Sequence, residues 1–139
     1  AKAIERTLHR PERLQQIQSM RDLFETRMAD YCVQVGCPMV VIGQSVDRLP
    51  NTSCIAFPSF DRQALQMALD MSGIACSTGS ACESGSATPS HVLQAMGLDS
   101  ASVQSALRFS FSEYNQTDEV EEACRRIAQC LNRIARRSA

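Results

Sequence analysis

Cys82 lies in the middle of an eleven-residue run, STGSACESGSA (77–87), made only of Ser, Thr, Gly, Ala, Cys and Glu. Connections in compact domains usually take about 4–6 residues, so this one is long, and no large apolar side chain anchors it. Such a segment suits a thiol that has to move. Small neighbours leave the sulfur accessible, and Gly79 and Gly85 permit backbone excursions that a Cβ would resist. The reactive form is the thiolate, which at neutral pH needs a nearby cation or a proton acceptor. Glu83 opposes ionisation, so activation must come from another element. Composition alone leaves a second reading open: a Ser/Gly surface loop with an incidental cysteine.

Arg108 is the second residue with usable chemistry. It falls on the polar face of an alternating run, ALRFSF (106–111), with Leu107, Phe109 and Phe111 on the other face. A guanidinium held on a strand can grip a carboxylate in bidentate fashion, although a solvated surface arginine would fit the same pattern. His91 reads as solvated helix surface. Cys76 ends a strand candidate and reads as a packing residue. Cys32, Cys37, Cys54, Cys124 and Cys130 fall mostly among apolar residues and are assigned to packing or chance.

The seven cysteines include no C-x-x-C pair, so no metal site is expected. An odd set in apolar surroundings fits a reducing compartment, and a cytoplasmic location is expected. Net charge is −1, without the basic excess that a nucleic-acid surface requires. The longest apolar run, Met39 to Ile42, is too short to cross a bilayer, and no membrane association is expected. The N-terminus is charged and polar and shows no signal-peptide pattern. With 139 residues, 44% of them hydrophobic, the chain is read as one domain spanning 1–139, without repeat or linker.

The elements that must position these residues follow from periodicity. Pro11 suits a helix start, and Leu14, Ile17, Phe24, Met28, Tyr31 and Val35 recur on one stripe until Gly36 and Pro38 stop it. Residues 39–42 and 54–57 read as strands, with a turn at Pro50–Asn51 between them. Asp61 can cap a helix carrying Leu65, Ala68 and Leu69 that closes at Gly73. Gly73 to Cys76 is a strand candidate. Thr88 and Pro89 form a helix start, with Val92, Leu93 and Met96 expected to be buried and Gly97 as the stop. After the 106–111 strand, a last helix starts near Thr117. It carries Val120, Ala123, Cys124, Ile127, Leu131 and Ile134 inward, with acids at its start and arginines at its end. The expected fold is α/β (α+β): a small sheet packed with helices.

The segment Cys76 to Leu98, CSTGSACESGSATPSHVLQAMGL, closely resembles the active-site segment of the NifS/IscS-like cysteine desulfurases of the class V aminotransferase family. Thr78, Gly79, Ser80, Ala81 and Cys82 match the core of that pattern. Pro89, Ser90, Val92, Leu93, Ala95 and Gly97 match its second part. RLPNT (48–52) upstream and LRFSF (107–111) downstream fall in the same order as in the family, so the resemblance covers roughly 35–135. It implies the small C-terminal domain of the aspartate-aminotransferase fold (fold type I) of pyridoxal-phosphate enzymes. By the match, Cys82 would be the nucleophile that takes sulfur from L-cysteine as a persulfide and leaves L-alanine. Arg108 would hold the substrate carboxylate, and Asn51, equally readable as a turn former, would line the same site. The resemblance further implies a homodimer and a sulfur-acceptor protein, with iron–sulfur cluster assembly among the destinations.

The same resemblance makes an absence conspicuous. The chain has a single lysine, Lys2, and no glycine-rich phosphate loop or Ser-x-His-Lys segment. Family members carry those parts in a large domain that precedes this region. The expectation is that pyridoxal 5'-phosphate is bound by that domain, with no cofactor-binding residue in this chain, and that this piece alone is inactive. Ser112 also departs from the glycine that many relatives carry after Arg-Phe-Ser-x. Two alternatives stand beside the desulfurase: a selenocysteine lyase or other class V enzyme, and a non-enzyme reading as a standalone sulfur-carrier or interaction domain.

Overall fold

The computed structural model describes residues 11–78 and 89–138. Among the described residues, helix α1 runs Pro11–Val35, followed by strands β1 (Val40–Val41) and β2 (Thr52–Ala56) and helix α2 (Arg62–Met71). Two short helices, α3 (His91–Ala95) and α4 (Ser100–Ser105), lead into strand β3 (Ala106–Ser110), and α5 (Thr117–Ser138) completes the chain. The strands form one antiparallel sheet in the order β1-β2-β3.

Register decides which side chains each face receives. Ser53 pairs with Phe109 and Ile55 with Leu107 on one face, while Thr52 pairs with Ser110 and Cys54 with Arg108 on the other. The first set turns inward. Ile55 and Leu107 are fully buried and pack with Phe24 and Met28 of α1, Leu65 and Leu69 of α2, and Ile127 and Leu131 of α5. Phe24 meets Phe109 and Phe111 in tilted ring pairs at 4.9 and 5.3 Å. Leu107 is fully buried in this cluster, so Leu107→Ala should cost about 2–5 kcal/mol in a urea melt.

The long helix departs from its expected stripe. The buried positions are Arg21, Phe24, Glu25, Met28 and Cys32, a helical spacing that includes two charges, whereas Leu14 stays exposed. The charges are buried because both have partners. Glu25 accepts Arg48 through both oxygens at 2.7 and 3.0 Å and the Ser53 hydroxyl at 2.7 Å. Arg21 donates to the Leu49 carbonyl at 2.9 Å. Together they tie both sides of the 48–53 turn to α1. Removing Glu25 would strand Arg48 and Ser53 without their acceptor, so Glu25→Ala is expected to cost about 2–4 kcal/mol, measured by the same melt.

Asp61 caps α2 as expected, accepting the Ala64 amide at 2.8 Å, and Gly73 closes it at φ +75°. The third helix starts later than the Thr88–Pro89 expectation. Ser90 is its cap, and Thr88 lies outside the described residues. Only Leu93 of its apolar residues packs, beside Ile42, Ala56 and Ala106 on the outer sheet face; Val92 and Met96 are about half exposed. Helix α4 was not expected, and the Gly73–Cys76 strand does not form. In its place Ser77 makes an isolated antiparallel bridge to Arg108.

Helix α5 follows its pattern. Val120, Cys124, Ile127 and Leu131 are buried, and Asp118 and Glu119 occupy the first turn, where the helix dipole favours acids. On its exposed side, hydrogen bonds from Arg125 and Arg126 hold Glu122 down at about 2. No helix among the described residues is long and apolar enough to cross a membrane.

Candidate active site

Among the described residues, the outer face of the sheet is covered at one end and open at the other. Helices α3 and α4 cover the Ala56–Ala106 end, where Leu93 and Leu98 pack. Arg108 and Ser110 remain exposed at the open end. The alternation of β3 produces this division, since Leu107 and Phe109 must face the core and the residues between them cannot. The Arg108 side chain makes no hydrogen bond or ion pair with a described residue.

The chain entering the Cys82 segment is fixed directly beside Arg108. The Arg108 amide donates to the Ser77 carbonyl at 2.7 Å, and the Ser77 amide returns a bond to the Arg108 carbonyl at 3.0 Å. Helix α2 secures the same segment from its other side. Arg62 Nη1 donates to the Thr78 carbonyl at 3.2 Å, and Gln66 Nε2 to the Cys76 carbonyl at 3.4 Å. Neither Arg62 nor Gln66 stands out in the sequence. Their signal is the polar side of an amphipathic helix, which does not say what it will meet.

Asn51 stands at the far end of the same ladder. Its carbonyl accepts the Phe111 amide at 2.8 Å, and its Oδ1 accepts the Thr52 hydroxyl at 3.4 Å. It lies three residues along β2 from Cys54, the partner of Arg108, which is a separation of about 10 Å along the strand. The fold therefore places Asn51 and Arg108 on one ladder without bringing their side chains into contact. Cys82 lies outside the described residues.

Cys54 reads as a packing residue in the sequence, and the register gives it a second feature. It faces Arg108 across the ladder. Burial pushes its thiol up, and the charge of Arg108 pulls partly against that. Cys76 is half-buried and is pushed up by burial and then by Asp70, so it is poorly suited to act as a thiolate. His91 is exposed at the start of α3, in line with a solvated surface position. Cys32, Cys124 and Cys130 are buried, with burial pushing Cys124 up to about 12.

A sheet whose exposed arginine is bridged by Ser77, the first residue of a Ser/Gly-rich run of sequence, narrows the class of protein, and the comparisons define it. Residues 15–123 match the model of the aminotransferase class-V family, and the chain belongs to that family. Among known proteins it is similar to a cysteine desulfurase of Sinorhizobium fredii, 41% identical over 118 residues that make up 85% of this chain and 30% of the relative. It is also similar to a putative cysteine desulfurase, IscS 1, of Bacillus subtilis, 36% identical over 126 residues, 90% of this chain and 32% of the relative. The fold matches a NifS-like protein of Rickettsia africae with a TM-score of 0.72 at 24% identity, covering 88% of this chain and 30% of that one. The chain thus spans about 30% of the length of the relatives it matches.

The family implies pyridoxal phosphate in general terms. The described residues do not fit the holding of that group. None of them is a lysine, and the one lysine of the chain, Lys2, lies outside them.

Proposed function

We propose that this chain is the C-terminal small domain, residues 1–139, of a pyridoxal-phosphate-dependent cysteine desulfurase. In that reading the whole protein is a cytoplasmic homodimer that converts L-cysteine to L-alanine. Cys82 takes the sulfur as a persulfide and delivers it to an acceptor protein for iron–sulfur cluster assembly or another sulfur-transfer route. The net exchange is balanced: L-cysteine and a thiol enter, L-alanine and a persulfide leave, with no outside oxidant or reductant.

The single observation that carries the reading is the double backbone bond between Ser77 and Arg108. It supports a shared site for the arginine and the thiol. Cys82 is four residues beyond Thr78, so covalent geometry keeps the two Cα atoms within about 14 Å of each other. A thiol on that tether can approach a substrate whose carboxylate is held at Arg108. The exposed guanidinium, which has no ion-pair partner among the described residues, offers a fork that matches a carboxylate. Asn51, on the same ladder, would border the substrate at its other end.

The test joins this chain to its natural upstream segment, supplies pyridoxal phosphate and L-cysteine, and follows alanine release together with the mass of the protein. The expected result is alanine production with one added sulfur that maps to the peptide containing Cys82. Alanine release with sulfur on another cysteine would overturn the role of Cys82. Absence of both would overturn the desulfurase reading. The 139-residue chain alone is expected to leave the absorbance of added pyridoxal phosphate unchanged and to release no alanine.

A further inference from the structure

We propose that Cys32 and Cys37 form a dithiol site, distinct from the Arg108 face, that low-molecular-weight disulfides oxidise to an intrachain disulfide. The pair straddles the end of α1, where Gly36 adopts φ +66° and turns the chain back on itself. That turn lets the Cys37 amide donate to the Cys32 carbonyl at 2.9 Å. One hydrogen bond plus the flanking covalent bonds keeps the two Cα atoms under about 7 Å apart, inside the span that a disulfide bridges. Both cysteines are free thiols in the structure.

The two thiols differ in access and in acidity, as a dithiol site requires. Cys32 is buried at 2% exposure beneath the core, near Cys124. Cys37 is only partly buried and lines a cavity of about 240 Å³ with Pro38, Phe60, Leu131 and Ile134. In the neutral pair the Cys37 thiol reaches the Pro38 carbonyl at 3.5 Å. The Cys32 thiol favours an ionised Cys37, lowering it, while the same contact and burial raise Cys32. Cys37 is therefore the sulfur that meets an incoming oxidant, and Cys32 is held in reserve as the protonated partner.

With glutathione disulfide as oxidant the chemistry closes in two exchanges. The Cys37 thiolate attacks one glutathione sulfur, forming a mixed disulfide and releasing one glutathione thiolate. The contact that had raised Cys32 most is then gone, and Cys32 loses its proton to solvent. Its sulfur attacks Cys37 Sγ and expels the second glutathione. Both cysteines are oxidised, and one glutathione disulfide is reduced to two glutathione thiols.

Both residues fall on one tryptic peptide, Met28–Arg48, that contains no other cysteine. The 139-residue chain would be incubated with glutathione disulfide, quenched with an alkylating agent, digested and weighed. The expected result is a peptide short of two hydrogens and carrying no alkyl group. Cys32→Ala should give the same peptide with a stable glutathione adduct on Cys37, and Cys37→Ala should leave Cys32 as free thiol. Both replacements are small, Cys37 is already partly exposed, and circular dichroism is the check that the variants fold. The proposal is overturned if the peptide is recovered with both cysteines alkylated under conditions that oxidise a control dithiol. It is equally overturned if Cys37 is found joined to a cysteine from another peptide.

Discussion

Cys82→Ser, in the protein completed by its upstream segment, is expected to remove the persulfide from this chain altogether. Serine keeps the size and polarity of the position, so the Ser/Gly character of 77–87 is unchanged. What changes is the nucleophile. A thiolate is accessible near neutral pH and has a strong affinity for sulfur, whereas an alkoxide is neither. Alanine release should fall by roughly 100-fold or more, because loss of the attacking group leaves only binding and orientation. The KM for L-cysteine should stay close to that of the parent. An unchanged rate of alanine release in the variant would show that Cys82 is not the acceptor. Substrate would then be held near a cysteine that takes no part.

Arg108→Ala should act on the other half of the site and leave the thiol in place. A bidentate guanidinium–carboxylate pair is a charge-assisted double hydrogen bond, and each such bond contributes about 1.5–3 kcal/mol. Losing both predicts a decrease of roughly 10²–10⁴ in kcat/KM. The substrate carboxylate takes no part in the sulfur transfer itself, so the contact is made about equally before and during the reaction. The loss should therefore appear chiefly in KM. Arg108→Lys should recover only part of it, since an ammonium keeps the charge and lacks the fork. Stability is a clean control. Arg108 is exposed and makes no ion pair with a described residue, so the melt should move by about 0.5 kcal/mol or less. A KM unchanged in both variants would reduce Arg108 to a solvated strand residue.

These two predictions draw on different parts of the molecule, and the parts were not equally legible. The alternation Leu107, Arg108, Phe109, Ser110 shows without any structure that Arg108 must face away from the core. A period of two on a strand leaves no other option once two large apolar side chains are buried. The periodicity of α5 is equally plain, and so are the Asp61 cap and the Gly73 stop, because each depends on residues within a turn or two of one another. Helix α4 was not legible. Its six residues carry one buried apolar side chain, Val103, and its cap at Asp99 looks like any turn. The sequence pattern puts the start of α3 too early because Thr88, Pro89 and Ser90 are all acceptable helix starters, and only the backbone shows that Ser90 is the cap. Val92 and Met96 fit an inward stripe, yet only Leu93 finds a partner on the sheet.

The amino-acid order by itself determined the family resemblance, the class of fold, the outward direction of Arg108 and the small-residue character of the segment around Cys82. All of these rest on residue type and on spacing along the chain. Tertiary structure alone decided that Ser77 pairs with Arg108, that Cys54 faces that arginine, and that Glu25 is buried against Arg48 and Ser53. The reason is physical. Hydrophobic periodicity reports which way a side chain faces within its own element, but strand register and helix docking determine what it faces. The partners of Glu25 are 23 and 28 residues away. Their attraction exists only after the sheet and α1 have been brought together by the apolar surface that they share.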